Sequence, residues 1–230
     1  MKTPQLKHLP ALALGILSIA ATAQAELITA IPDLPPLGGV YLSDNIHQMF
    51  GGPALEFLLS QPNHKPIADE HKMKQGLDQV ESFFSTLDAQ LEVKVNGVSG
   101  GTNPIMANGL CTTIVLGKYD AGGAENITGT FQTEMLSLNL SGGTLPPGVM
   151  IRESPTLQST GITSVTDIGG GLYKIDSFFD VFAELSIDGG LTWMPSNNGA
   201  GHVELVPEPT SMSLLAAGFV GMMGFIRRRR

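Results

Sequence analysis

Four carboxylates fall at short intervals in one stretch of this 230-residue chain: Asp176, Asp180, Glu184 and Asp188. Two carboxyl groups flanking a glycosidic bond are enough for acid–base hydrolysis, so glycosidase chemistry is the first reading to weigh. Asp188 has a competing use, because Ser186, Asp188 and Gly190 already have strand and turn roles, and nothing singles out an acid–base pair. His47, His64 and His71 precede His202. His64 and His71 are seven apart across Pro66, with Asp69 and Glu70 alongside, and this matches no ligand frame of the H-E-x-x-H kind. They read as solvated polar residues on a connecting segment. Cys111 is the only cysteine, so no intrachain disulfide can form. It sits in the β-branched run Leu110 to Leu116 and reads as a small buried hydrophobe. No Gly-x-Ser-x-Gly elbow and no P-loop lysine accompany the glycines. These residues assign no catalytic group, no metal ligand and no cofactor, and the chain is expected not to be an enzyme.

Ser186-Ile-Asp188-Gly-Gly190-Leu-Thr192-Trp193 resembles the Asp-box, a β-hairpin whose aspartate folds back on turn amides above a packed tryptophan. The Asp-Gly step agrees, being a strong hairpin signal. Sialidase-like propellers carry several such hairpins; this chain has one copy, which reads as structural.

The two ends are more explicit. Lys2 and Lys7 precede an apolar run, Leu9 to Ala21, and then Ala23-Gln-Ala25. The run is short for a bilayer core of about 30 Å. Its order is that of a secretory signal, with cleavage by signal peptidase after Ala25. At the other end Ser211 to Ile226 carries no charge and is followed by Arg227, Arg228, Arg229 and Arg230. That segment is expected to be a transmembrane helix, its arginines fixing the C-terminus in the cytoplasm. Pro207-Glu208-Pro209 stands just before it, and two prolines hold a backbone extended. Together these features resemble the PEP-CTERM sorting signal. The resemblance implies that exosortase, a membrane-embedded cysteine peptidase, recognises Pro207, Glu208 and Pro209 and cleaves nearby. Residues 130–206 also resemble the ectodomains of many such surface proteins, a likeness without an assigned activity.

Between the ends, residues 26–206 hold seven Lys/Arg against twenty Asp/Glu, a formal −13 that is more acidic than the whole chain's −8. Phosphate contact needs a basic surface, so nucleic acid is not an expected partner. Residues 26–50 form a Pro/Gly-rich lead-in. The β-rich ectodomain follows over 51–206, and the sorting tail occupies 207–230.

Short alternating runs dominate the ectodomain, as at Ala89 to Asn96 and Val181 to Ile187. Thr130 to Leu140 changes phase between Met135 and Leu136, which suggests a bulge or a crossover. Frequent glycine turns predict a mainly β fold, an antiparallel β-sandwich. Ile67 to about Gln79 is the one helical expectation. Val80-Glu-Ser-Phe83-Phe84 echoes Ile175-Asp-Ser-Phe178-Phe179, suggesting repeats over about 51–125 and 126–206. These would form two packed sheets or two small domains, with the aromatic pairs at equivalent core positions.

Two functions follow. One is an exported surface or matrix protein of a Gram-negative bacterium, held briefly in the inner membrane. It would then play a structural or interaction role among exopolysaccharide or other surface proteins in a biofilm. The alternative is a carbohydrate-active β-sandwich enzyme of that matrix.

Overall fold

A chain of alternating runs separated by glycine turns can pair only with itself, and here it does so without an interruption by helix. The structure, a computed structural model, describes residues 26–36, 38–43 and 48–208. The signal peptide, the transmembrane segment, Ala23, Ala25, His47, Pro209 and Arg227 to Arg230 lie outside the described residues. Thirteen strands are present: β1 (Leu27–Thr29), β2 (Gly39–Leu42), β3 (Gln48–Gly52), β4 (Leu55–Gln75), β5 (Asp78–Val95), β6 (Val98–Val115), β7 (Gly129–Ser141), β8 (Met150–Glu153), β9 (Ser159–Gly169), β10 (Leu172–Val181), β11 (Ala183–Ser186), β12 (Met194–Pro195) and β13 (Gly201–Pro207). No helix occurs among the described residues.

The expected sandwich is instead a closed barrel. Eight strands follow one another around a ring, β10-β13-β2-β4-β5-β6-β7-β9, and β9 pairs back onto β10. Every contact around it is antiparallel. Alternation of inward and outward residues is the same in both architectures. Closure comes from β13, which pairs β10 on one side and β2 on the other, and so leaves the ring no open edge.

Strands β4 to β7 are longer than the barrel and continue below it as a second layer. There β3 pairs the start of β4, β8 pairs the end of β7, and β11 and β12 extend that side. Beyond β12 the chain returns to β3: Asn197 donates its backbone N–H to Met49 O at 2.7 Å and its side-chain amide to Gly51 O at 2.8 Å. β4 passes between layers at a bulge containing Gln61 (φ 51°) and Pro62. Extra residues bend a strand there, and a proline is tolerated at such a site. Two glycines are required by close approach. A Cβ at Gly109 would lie 1.7 Å from Asn139 O, and one at Gly161 would lie 2.0 Å from Phe178 O.

The helix expected over Ile67 to Gln79 is absent. Those residues end β4, turn at Gly76 (φ 68°) and Leu77, and begin β5. Lys72, Met73, Lys74 and Gln75 are good helix formers, but full pairing with β5 overrides that preference. The expected bulge in β7 is there: Thr112 faces Ser137 and Thr113 faces Met135, leaving Leu136 unmatched. Asn96-Gly97 turns the β5–β6 hairpin with both φ angles positive, 51° and 77°, as a type I′ turn requires.

The two echoed runs stand on opposite sides of the ring, in β5 and β10. Their aromatics are out of phase. Phe83 and Phe179 are buried, whereas Phe84 is exposed and Phe178 partly so. A one-residue difference in phase reverses which side chain faces inward, so the pairs do not fill equivalent core positions. Residues 51–125 supply the arc β4-β5-β6 and residues 126–206 the arc β7-β9-β10-β13; neither closes alone.

Candidate functional site

The sorting residues begin inside the barrel. Leu205, Val206 and Pro207 are the last residues of β13, with Val206 opposite Val40 and Pro207 opposite Gly39. Proline lacks the donor needed to extend a ladder, which suits the terminal position. Glu208 follows, its backbone N–H donating to Gly38 O at 3.2 Å. Its carboxylate meets Lys65 Nζ at 2.9 Å, a pair partly open to water. The folded barrel therefore holds the first proline and the glutamate at its rim. Lys65 was not legible as part of this site, because strand pairing alone brings β4 to it.

The Asp-box residues come together at a turn below the barrel. Asp188 accepts from Thr192 N at 2.9 Å, Thr192 Oγ1 at 2.5 Å and Ser186 Oγ at 2.8 Å. These donors hold its carboxyl down at about 2. Gly190 N donates to Ser186 Oγ at 2.9 Å, and Trp193 Nε1 donates to Gly190 O at 3.0 Å. The Arg152 guanidinium lies 4.0 Å from the Trp193 ring centre. It also donates through Nε and Nη2 to Glu184 Oε2, at 2.8 and 2.6 Å. Glu184 is thus occupied as a strut between β8, β11 and the hairpin. Asp176 is exposed, and Asp180 bonds His202 Nδ1 at 2.7 Å on the outer surface. The four spaced carboxylates thus have separate surroundings.

The barrel interior holds several polar groups among its apolar side chains. His64, read from sequence as solvated, is buried and shares a 2.9 Å hydrogen bond with Ser85 Oγ. Burial lowers its pKa to about 4, so the ring is neutral. It was misread because its segment is part of a long strand, with β2 on one side and β5 on the other. His71 is exposed, so the two imidazoles do not converge. Tyr41 Oη donates to Ser177 Oγ at 3.1 Å, and Ser177 shares a 2.7 Å bond with Thr163. Glu81 is fully buried; burial pushes its carboxyl up to about 8, although Gln79 Nε2 donates to one of its oxygens. Cys111 is buried as expected, and burial raises its thiol pKa. One signal in the sequence pointed here. Gln79, Glu81 and Ser85 share the inward phase of Phe83 and Leu87 in β5.

On the outer face a groove of about 410 Å³ runs over β7, β9 and β10. Gln132, Ile162 and Phe178 lie side by side across it, with Glu134, Gln158 and Asp180 among its other walls. This places an aromatic ring among amides and carboxylates.

No curated protein and no solved structure matches the chain. A family model does match its C-terminal end, where β13 leaves the barrel and the prolines, apolar segment and arginines follow. Residues 205–230 match the model of the PEP-CTERM protein-sorting motif, which supports an exosortase substrate.

Proposed function

We propose that the chain is an exported surface protein whose tail is removed by exosortase near Pro207-Glu208-Pro209, and whose barrel then serves the extracellular matrix by binding rather than by catalysis. The observation that carries this reading is the continuity of β13 with the sorting motif. The recognition residues begin where the last barrel strand ends, so cleavage beyond them would leave the ring of strands whole. The apolar segment and its four arginines would orient the chain with the barrel on the outer side until that cut.

The outer groove supports the matrix part. A partly exposed ring, here Phe178 packed 5.1 Å from the His202 ring, beside amide and carboxylate groups is suited to sugar C–H and O–H groups together. The surrounding acids, and the −13 of residues 26–206, favour a neutral polysaccharide over an anionic one.

Intact-mass measurement of the protein from cells with and without exosortase tests the reading. In normal cells the mass should lack Arg230, and the matrix fraction should retain the protein; Phe178→Ala should be shed into the medium with the same mature mass. Arg230 persisting on the mature form in normal cells would show the tail to be a permanent anchor. Shortened exopolysaccharide chains after incubation with the purified protein would instead favour the enzyme.

A further inference from the structure

The barrel encloses a cavity of about 80 Å³, walled mainly by apolar side chains such as Phe83, Leu87, Met135 and Val203. An eight-stranded barrel is just wide enough either to be filled by side chains or to hold one small molecule. Polar atoms decide between these. Most polar side chains around the cavity are engaged: Tyr41 and Thr163 with Ser177, His64 with Ser85, and Gln48 with Val181 O. Two are not. Glu81 Oε2 and Thr133 Oγ1 are buried without a hydrogen-bond partner, and both residues line the cavity. A buried, unpaired polar group costs about 1–3 kcal/mol, so two of them beside one empty volume need a reason.

We propose that this cavity binds a small neutral alcohol, its hydroxyl bonded to Glu81 or Thr133 and its alkyl part against the apolar wall. A hydroxyl both donates and accepts, so it suits a carboxyl group and a threonine alike. A carboxylate ligand would have to bury its charge against apolar walls without a cationic partner, which is costly. The raised pKa of Glu81 keeps its carboxyl neutral at pH 7, which removes the need for a cationic partner. Size limits the guest, since a cavity of about 150 Å³ takes benzene and this one is roughly half as large. The walls therefore fit an alkyl chain of about four carbons or the hydroxyl-bearing end of a longer one. The proposal does not depend on how the tail is processed.

The test uses protein purified from cells with 13C-methyl methionine, titrated with 1-butanol and separately with butyrate. Met135 lines the cavity, and Met73 is 61% exposed and serves as control. The Met135 methyl resonance should shift saturably with 1-butanol while Met73 stays fixed, and butyrate should bind about tenfold more weakly. Thr133→Val should weaken binding about fivefold, the loss of one hydrogen bond, whereas Thr133→Ser should restore it. Ala183→Leu, which fills the cavity, should abolish binding, with a thermal midpoint confirming that each variant folds. A shift that never saturates, an undiminished response in Ala183→Leu, or ordered water alone on Glu81 and Thr133 in a crystal soaked with the alcohol would each overturn the proposal.

Discussion

The same four long strands line two interiors of opposite character. In the upper part of β5, Gln79, Glu81, Phe83 and Ser85 face into the barrel; lower down, past Leu87 at the cavity wall, Ala89 and Leu91 face the second layer. β7 changes likewise, from Thr133 above to Leu138 and Leu140 below. The lower interior adds Phe50, Ile151 and Leu185, all at 2% exposure or less. Hydrophobic burial contributes about 25 cal/mol per Å² of apolar surface, which the lower layer gains around Phe50, Leu140 and Leu185, while the barrel combines it around Phe83, Phe131 and Phe179 with buried polar groups. The difference teaches a division of work along continuous strands. One end stabilises, and the other is left free to carry polar groups that a stability-driven core would exclude.

The strongest way to break this comparison is to cut the lower core. Leu140 is fully buried, and Leu140→Ala should cost about 2–5 kcal/mol through lost transfer energy and the cavity left behind. Urea unfolding should show the midpoint fall. A loss no larger than that of a barrel-lining Thr133→Val would erase the distinction.

The next effect is set by pH. Glu81 holds its proton more tightly in the fold, near pH 8, than at the ordinary carboxyl value of 4.5. The folded state therefore binds the extra proton between those values. The Glu81 contribution to stability is complete below about 4.5 and is lost as pH rises through about 8. Glu81→Gln should flatten that decline, leaving the variant on the order of 3 kcal/mol more stable than the parent at pH 8. His64 acts on the acid side, with its pKa lowered from 6.5 to about 4. Stability should fall as pH drops through that window, and this slope should survive in Glu81→Gln. Denaturant unfolding at pH 4, 6 and 8 separates the two.

The smallest effect belongs to the rim. The Lys65–Glu208 pair is partly solvated, and exposed pairs contribute about 0–1 kcal/mol. Lys65→Ala should leave the unfolding midpoint nearly unchanged while tail removal, followed by pulse-chase, becomes faster because Glu208 is freed. An unchanged cleavage rate would show that the rim contact has no bearing on processing.

Features written in adjacent residues were legible. The Asn96-Gly97 turn, the phase break beside Leu136 and the Asp188 hairpin each need only a few neighbours, and so does the sorting tail. What depends on distant strands was not. Barrel closure requires β13 to meet β2 over some 165 intervening positions, and no local pattern records such a meeting. The stretch from Ile67 to about Gln79 looked helical because residues such as Lys72 to Gln75 are locally content in a helix. His64 looked solvated because polar residues usually are, and Glu81 stood out only as part of an echoed run. Alternation along β5 puts Glu81 in phase with Phe83 and Leu87, and only the register brings His64 opposite Leu87. The two similar strands from which a duplication was expected stand opposite each other in one ring, with their aromatics turned different ways.

The position of β13 also imposes an order of events. It is the closing stave, flanked by a strand made near the start of the chain and by one made late, and it is the last strand to emerge when the chain is delivered N-terminus first. Until it arrives, β2 and β10 each have an unpaired edge, and such edges invite pairing with other chains. Pairing across so long a loop is intrinsically slow. The residues that complete the ring are followed at once by Glu208 and the rest of the sorting signal, so a chain truncated before the signal is also a chain that cannot close. Completeness of synthesis, closure of the fold and eligibility for sorting are thereby read out by one short segment.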